Sequence, residues 1–213
     1  MISNTLTLPE NKVHLSGISW ETYESLLKEL SDRRLRLTYY CGNLEIMVPS
    51  PEHERYKEIL GRFVETLAEE LELKIEPLGS TTFKLPNQGG AEPDKCFYIQ
   101  NLNAIKGKKR IDLKQDPPPD LVIEIDITSS SENRLEIYAA IGVPELWRYD
   151  GNSVTVNQLQ NQKYIACDQS LAFPTIPILE ISTFLKQAAN KDYLELVREF
   201  RHWVKNQVQK NSL

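Results

Sequence analysis

The eight residues Asp120-Leu121-Val122-Ile123-Glu124-Ile125-Asp126-Ile127 constrain the fold more than any other part of this chain. The run is rich in β-branched residues and nearly continuous in apolar ones, the pattern of a central strand covered on both faces, so it predicts a sheet lying between helices. The acids within it are the anomaly. Side chains alternate along a strand, which sets Asp120, Val122, Glu124 and Asp126 on one face and Leu121, Ile123, Ile125 and Ile127 on the other. Residues two apart are separated by roughly 6.5 to 7 Å, so Glu124 and Asp126 repel each other unless a cation lies near. Because an unpaired buried carboxylate costs several kcal/mol, such acids signal a salt bridge, a hydrogen-bonding site or a metal. Arg134, Arg148 or Lys95 could neutralise them without any chemistry. A hard divalent cation such as Mg²⁺, which takes carboxylate and carbonyl oxygens and retains waters, could do so as well.

The flanks supply the covering elements. Ser19 can cap a helix whose Trp20, Tyr23, Leu26, Leu27 and Leu30 form one apolar face, and Leu35–Tyr40 with Leu44–Val48 reads as a hairpin turning at Gly42-Asn43. Ser50-Pro51-Glu52 opens the clearest helix, with Tyr56, Ile59, Leu60, Phe63, Val64, Leu67 and Leu71 as its buried stripe. Strands are expected near Leu73–Pro77 and Thr81–Leu85, then, after Gly89-Gly90, over Asp94–Ile99. Asn101–Pro119 reads as a polar, basic, irregular insertion. Ser129 and Glu132 match a capping box for the next helix, which ends at Gly142 and Pro144. Glu145–Tyr149, Ser153–Leu159 and Lys163–Cys167 read as strands, Pro174 to Pro177 as a loop, and Asp192–Val208 as a helix with an aromatic-rich stripe. That stripe docks on its own domain or on a second copy in a homodimer.

Composition narrows the class. No apolar run approaches the roughly 18 to 20 residues of a membrane span, and no signal-like segment opens the chain, so a cytoplasmic location and no membrane partner are expected. The three cysteines are widely spaced and read as reduced thiols. A formal net charge of −5 argues against coating nucleic acid indiscriminately, though Lys106-Gly107-Lys108-Lys109-Arg110 offers a local basic surface. A solvated loop is the plainer reading of that run.

Asp94, after Pro93, opens a strand expected to neighbour the Asp120 strand, and the element order matches the α-β-β-β-α-β core of metal-dependent nucleases. Pro93-Asp94, Pro119-Asp120-Leu-Val-Ile-Glu124, a Ser-rich turn, Tyr138 and Gly142-Val143-Pro144-Glu145-Leu146-Trp147 together resemble the Uma-two family of restriction endonucleases, best over Ser50 to Asp150. The resemblance implies one α/β (α+β) domain over 1–213 of the PD-(D/E)XK type, a mixed sheet flanked by helices. The core would span about 50–150, with an N-terminal helix and hairpin in 1–49 and C-terminal strands and a helix in 151–213. It further implies that Asp94 and Glu124, with the Ile125 carbonyl, hold Mg²⁺ or Mn²⁺ for hydrolysis of DNA. Because the insertion that carries Lys108, Lys109 and Arg110 connects the two acid-bearing strands, these residues are expected to border the same cleft and meet the phosphate backbone there. One departure matters: the position two after Glu124, usually lysine in this superfamily, is Asp126. Arg134 is the candidate replacement cation, acting electrostatically because arginine cannot deprotonate water. His53 and Glu58 are lesser candidates, with a helix cap or solvent group the commoner role for each. The rival reading is a catalytically weak or inactive module that keeps the fold and binds nucleic acid or a protein partner.

Overall fold

The computed structural model describes residues 11–79, 81–127 and 132–210. Along the chain, β1 (Asn11–Ser16) precedes α1 (Trp20–Glu29), the hairpin β2 (Arg36–Tyr40) and β3 (Asn43–Val48), and the long α2 (Pro51–Glu70). Three short strands follow, β4 (Glu76–Leu78), β5 (Phe83–Leu85) and β6 (Gly89–Ala91), then β7 (Lys95–Tyr98), the one-turn α3 (Leu102–Ile105) and β8 (Leu121–Ile125). The last part holds α4 (Glu132–Ile141), β9 (Glu145–Tyr149), β10 (Val154–Gln160), β11 (Lys163–Cys167), α5 (Ile181–Leu185) and α6 (Tyr193–Lys210).

The strands form two sheets. One, ordered β1-β3-β2-β6-β5, is antiparallel throughout; the other, β11-β10-β9-β8-β7-β4, is mixed, with β8 parallel to β9 and its other pairs antiparallel. This is the expected mixed sheet flanked by helices. Every residue of β8 is buried. Leu121, Ile123 and Ile125 join the core built with α2 and α6, and Val122 joins the one built with α4 and parts of the first sheet. A third cluster sets Tyr23 of α1 against Tyr39 of β2, their rings stacked 5.0 Å apart.

Local chemistry explains the element ends. Ser19 and Ser50 accept hydrogen bonds from the backbone N–H of Thr22 and His53, capping α1 and α2 as their sequences suggest. The hairpin turns at Cys41-Gly42, both at positive φ, one residue earlier than expected. The Ser129–Glu132 cap lies outside the described residues. Gly89-Gly90, expected as a breaker, belongs to a strand. A side chain at Gly90 would collide with the Tyr23 hydroxyl, and one at Gly89 would meet Ile137 of α4 at 3.1 Å. The bare strand thus lets α1 approach one side and α4 the other. Pro174 to Pro177 form the expected loop, and the chain then enters a short 3-10 turn and α5. The stripe of α6 packs on α2 of its own chain: Phe200 stacks on Phe63 at 3.9 Å, and Arg201 donates to Glu70 at 2.9 Å.

Candidate active site

Asp94 lies where the chain passes from the first sheet to the second. The β2–β6 register pairs Tyr39 with Gly90 and Tyr40 with Gly89, and its continuation brings Arg36 opposite Pro93. The β7–β8 register pairs Lys95 with Ile123, so Asp94 comes opposite Glu124. Asp94 is fully buried and its Oδ2 accepts the Ile125 N–H at 2.6 Å. Its Oδ1 pairs with the Arg36 guanidinium and lies 3.1 Å from His53 Nε2. His53 is wholly buried at the start of α2, with Nδ1 3.5 Å from Glu54 Oε1. The hydrogen bond with His53, more than the nearby Lys57 and Arg36 cations, holds Glu54 down at about 2 despite its partial burial.

Glu124 and Asp126 face α4. Tyr138 donates to Glu124 Oε1 at 2.6 Å, and Arg134 Nε lies 3.2 Å from Glu124 Oε2. The same guanidinium reaches Asp126 Oδ1 at 3.2 Å, while Arg148 of β9 holds Asp126 Oδ2 at 2.8 Å. Burial raises Glu124 above the usual carboxylate range, with Asp126 adding to the rise and Arg134, Tyr138 and Arg36 opposing it. The Tyr138 hydroxyl is raised by its burial and by Glu124, and the Arg134 guanidinium is held charged by Glu124 against its own burial. Three carboxylates, Asp94, Glu124 and Asp126, are thus met by three guanidinium groups, Arg36, Arg134 and Arg148.

Other acids and cations lie elsewhere. Asp120 shares the strand but caps the turn after β7, accepting from the N–H groups of Ile99 and Asn101 at 2.6 and 2.9 Å. Lys95 pairs with Glu58 at 3.0 Å, so neither joins the acids. Lys108, Lys109 and Arg110 line a cavity of about 1000 Å³ with Phe83 and Lys84, and Asp94, Glu124 and Asp126 are not on its wall. Lys108 also pairs with Asp116. A second cavity of about 840 Å³ also lacks the three acids on its wall but reaches them through Arg36, the partner of Asp94; Glu54, Arg33, Arg34 and Lys57 line it too.

Arg36, His53 and Tyr138 are the neighbours that sequence reasoning left out or placed otherwise. Arg36 had a signal, a charge inside the β-prone run Leu35–Tyr40, and Tyr138 had one in lying one helical turn beyond Arg134. His53 had none beyond its place at a helix start.

The donor set can be tested against a hard cation. Asp94 Oδ1 and Glu124 Oε2 are buried and face cationic groups without hydrogen-bond alignment, whereas the other oxygen of each is bonded at 2.6 Å. Among the described residues no group of three or more His, Cys, Asp or Glu forms a metal cage. Two carboxylate oxygens nonetheless suit Mg²⁺, which is commonly held by one or two carboxylates while waters and substrate phosphates complete its shell.

Comparison with known proteins agrees with this architecture. The family model described as "Uma2: Putative restriction endonuclease" matches residues 20–185. Among solved structures, a putative nuclease belonging to DUF820 from Anabaena variabilis ATCC 29413 superposes with a TM-score of 0.50 at 14% identity, covering 70% of this chain and 90% of that one. No curated protein matches. No helix among the described residues is long and apolar enough to cross a membrane.

Proposed function

Since this chain belongs to the Uma2 family of putative restriction endonucleases, we propose that it is a metal-dependent endonuclease that hydrolyses DNA phosphodiester bonds at Asp94 and Glu124. The observation that carries the reading is the position of these two buried carboxylates opposite each other in the continued β7–β8 register, each with one oxygen hydrogen-bonded and the other facing a guanidinium. Asp94 Oδ1 and Glu124 Oε2, with the Ile125 carbonyl, would hold Mg²⁺ or Mn²⁺. Such an ion supplies charge stabilisation at the phosphoryl oxygens and a water of lowered pKa. In the hydrolysis itself water adds to phosphorus, one P–O ester bond breaks, and the departing oxygen takes up a proton.

The chain's own residues set up that chemistry. Tyr138 and the Ile125 N–H fix the two carboxylates in orientation, and the other oxygen of each, which faces a guanidinium, would take the ion. Arg134 holds Glu124 and Asp126 together and supplies the positive charge that lysine provides elsewhere in the superfamily. Arg148 compensates Asp126 from the other side. Arg36 lines the cavity and pairs with Asp94, linking the acid to the cavity wall.

A specific observation favours a second reading, a catalytically inactive module. The three acids are already balanced by three arginines, so the cluster is complete as a structural salt-bridge network. Plasmid nicking with Mg²⁺ or Mn²⁺ separates the readings. Wild type is expected to nick, and Glu124→Gln is expected to lose at least about a hundredfold in rate. Because Glu124→Gln also removes one partner of the buried pair with Arg134, rates are compared per folded molecule, with the folded fraction read from thermal unfolding. Absence of nicking by wild type with either ion establishes the inactive module.

A further inference from the structure

The two cavities share a wall residue. Thr82, in the link between β4 and β5, lines both the cavity beside Arg36 and the larger one under the α3 segment. Together their walls carry eleven Lys and Arg against four Asp and Glu, on a chain whose net charge is −5. Nearly half of the 25 cations are therefore gathered along one path that starts beside Asp94. At its near end are Arg33, Arg34 and Lys57, and at its far end Lys74, Lys106, Lys109, Arg110 and Lys114. Two of the remaining cations are partly compensated, Lys84 by Glu24 and Lys108 by Asp116, and Arg33, Arg34, Lys109 and Arg110 are exposed.

We infer that this path is a groove for the sugar-phosphate backbone of duplex DNA, running from the Arg36 end across Thr82 to Lys109 and Arg110. The inference rests on the nuclease reading and adds to it the surface that holds the substrate away from the reacting bond. Among the described residues the one aromatic ring lining either cavity is Phe83, and it is buried. Base stacking, on which single-strand binders rely, has no platform there, so the contacts are to phosphates and indifferent to sequence. The location also explains how the 101–119 insertion serves the acids without touching them: it anchors the duplex one cavity further along.

Fluorescence anisotropy with a labelled duplex, in chelator so that no cleavage occurs, tests the groove independently of catalysis. Lys109→Glu/Arg110→Glu and Arg33→Glu/Arg34→Glu should each weaken binding about 10-fold at low salt and lower the slope of log affinity against log salt by about 2. The matched reversal Lys163→Glu/Arg198→Glu, outside both cavities, should do neither. Thermal unfolding of each variant confirms that it is folded. An unchanged slope at either end, an equal loss in the matched reversal, or tighter binding of the corresponding single strand overturns the groove. Loss of binding in both groove variants while wild type nicks nothing keeps the groove and removes the nuclease reading. Nicking by wild type with unchanged binding in the variants does the reverse.

Discussion

On one face of β8, Leu121, Ile123 and Ile125 press into the core shared with α2 and α6; on the other, Glu124 and, just beyond the strand's end, Asp126 meet Tyr138, Arg134 and Arg148. Both faces are buried to the same degree. They are stabilised by different physics. Burial of the apolar face is favourable in proportion to area and is tolerant of direction, so neighbours can share a loss. Burial of the acidic face is unfavourable until each oxygen finds a partner at a particular distance, and one missing group leaves a charge stranded. The first kind of face makes a strand stable, and the second makes it specific.

The most severe test of this contrast is Arg134→Ala. It strands Glu124 and leaves Asp126 with one guanidinium fewer, so unfolding free energy should fall by about 3–5 kcal/mol, with cleavage lost as well. Arg134→Lys keeps the charge and should retain or raise metal-dependent nicking. Chemical denaturation alongside nicking rates reads both quantities, and an Arg134→Ala protein as stable and as active as wild type would break the distinction between the faces. On the opposite side, Ile123→Ala should cost about 2–5 kcal/mol through the cavity it leaves while the folded fraction keeps its cleavage rate. A large drop in rate per folded molecule would mean that the apolar face also positions the acids.

Gly90→Ala probes the support behind the site at smaller cost. Its new methyl group collides with the Tyr23 hydroxyl, and the expected destabilisation is about 1–3 kcal/mol. Tyr23→Phe in the same protein removes the colliding oxygen and should restore part of the loss, which thermal denaturation of the double variant measures. The smallest effect concerns Glu54. Its folded pKa is held near 2, below the ordinary value of 4.5. The stability it contributes is therefore present above about pH 4.5 and is lost as pH falls toward 2. Because Glu54 is partly exposed the effect is less than about 1 kcal/mol, and Glu54→Gln should flatten the unfolding curve in that window alone.

The central strand and its alternation were legible because they depend only on residues two apart. The long helix was legible because its stripe recurs at three and four. The same local rules missed β1, where only Val13 and Leu15 alternate with polar residues, and β6, which has no such pattern; β6 is a strand because α1 and α4 close on it from both sides. At the candidate site Asp94, Glu124, Asp126 and Arg134 could be named from spacing and resemblance. Arg36 could not, and His53 only as a lesser candidate, because their proximity to Asp94 comes from pairing between β2 and β6 and from the entry of α2. The basic 106–110 run illustrates the opposite error. Joining the two acid-bearing strands in sequence suggested that it borders the acids, yet the chain carries it into the neighbouring cavity.

The groups that meet at the acids are gathered from Arg36 to Arg148, across more than half of the chain. During synthesis, Asp94 and Glu124 therefore emerge before Arg134 and Arg148, and the second sheet cannot close until the β8–α4–β9 crossover is made. Contacts so far apart in sequence form late, because the entropy of closing the intervening loops is lost before any pairing rewards it. An unfinished chain has carboxylates but no assembled site, so the capacity to cut arrives only with the completed fold.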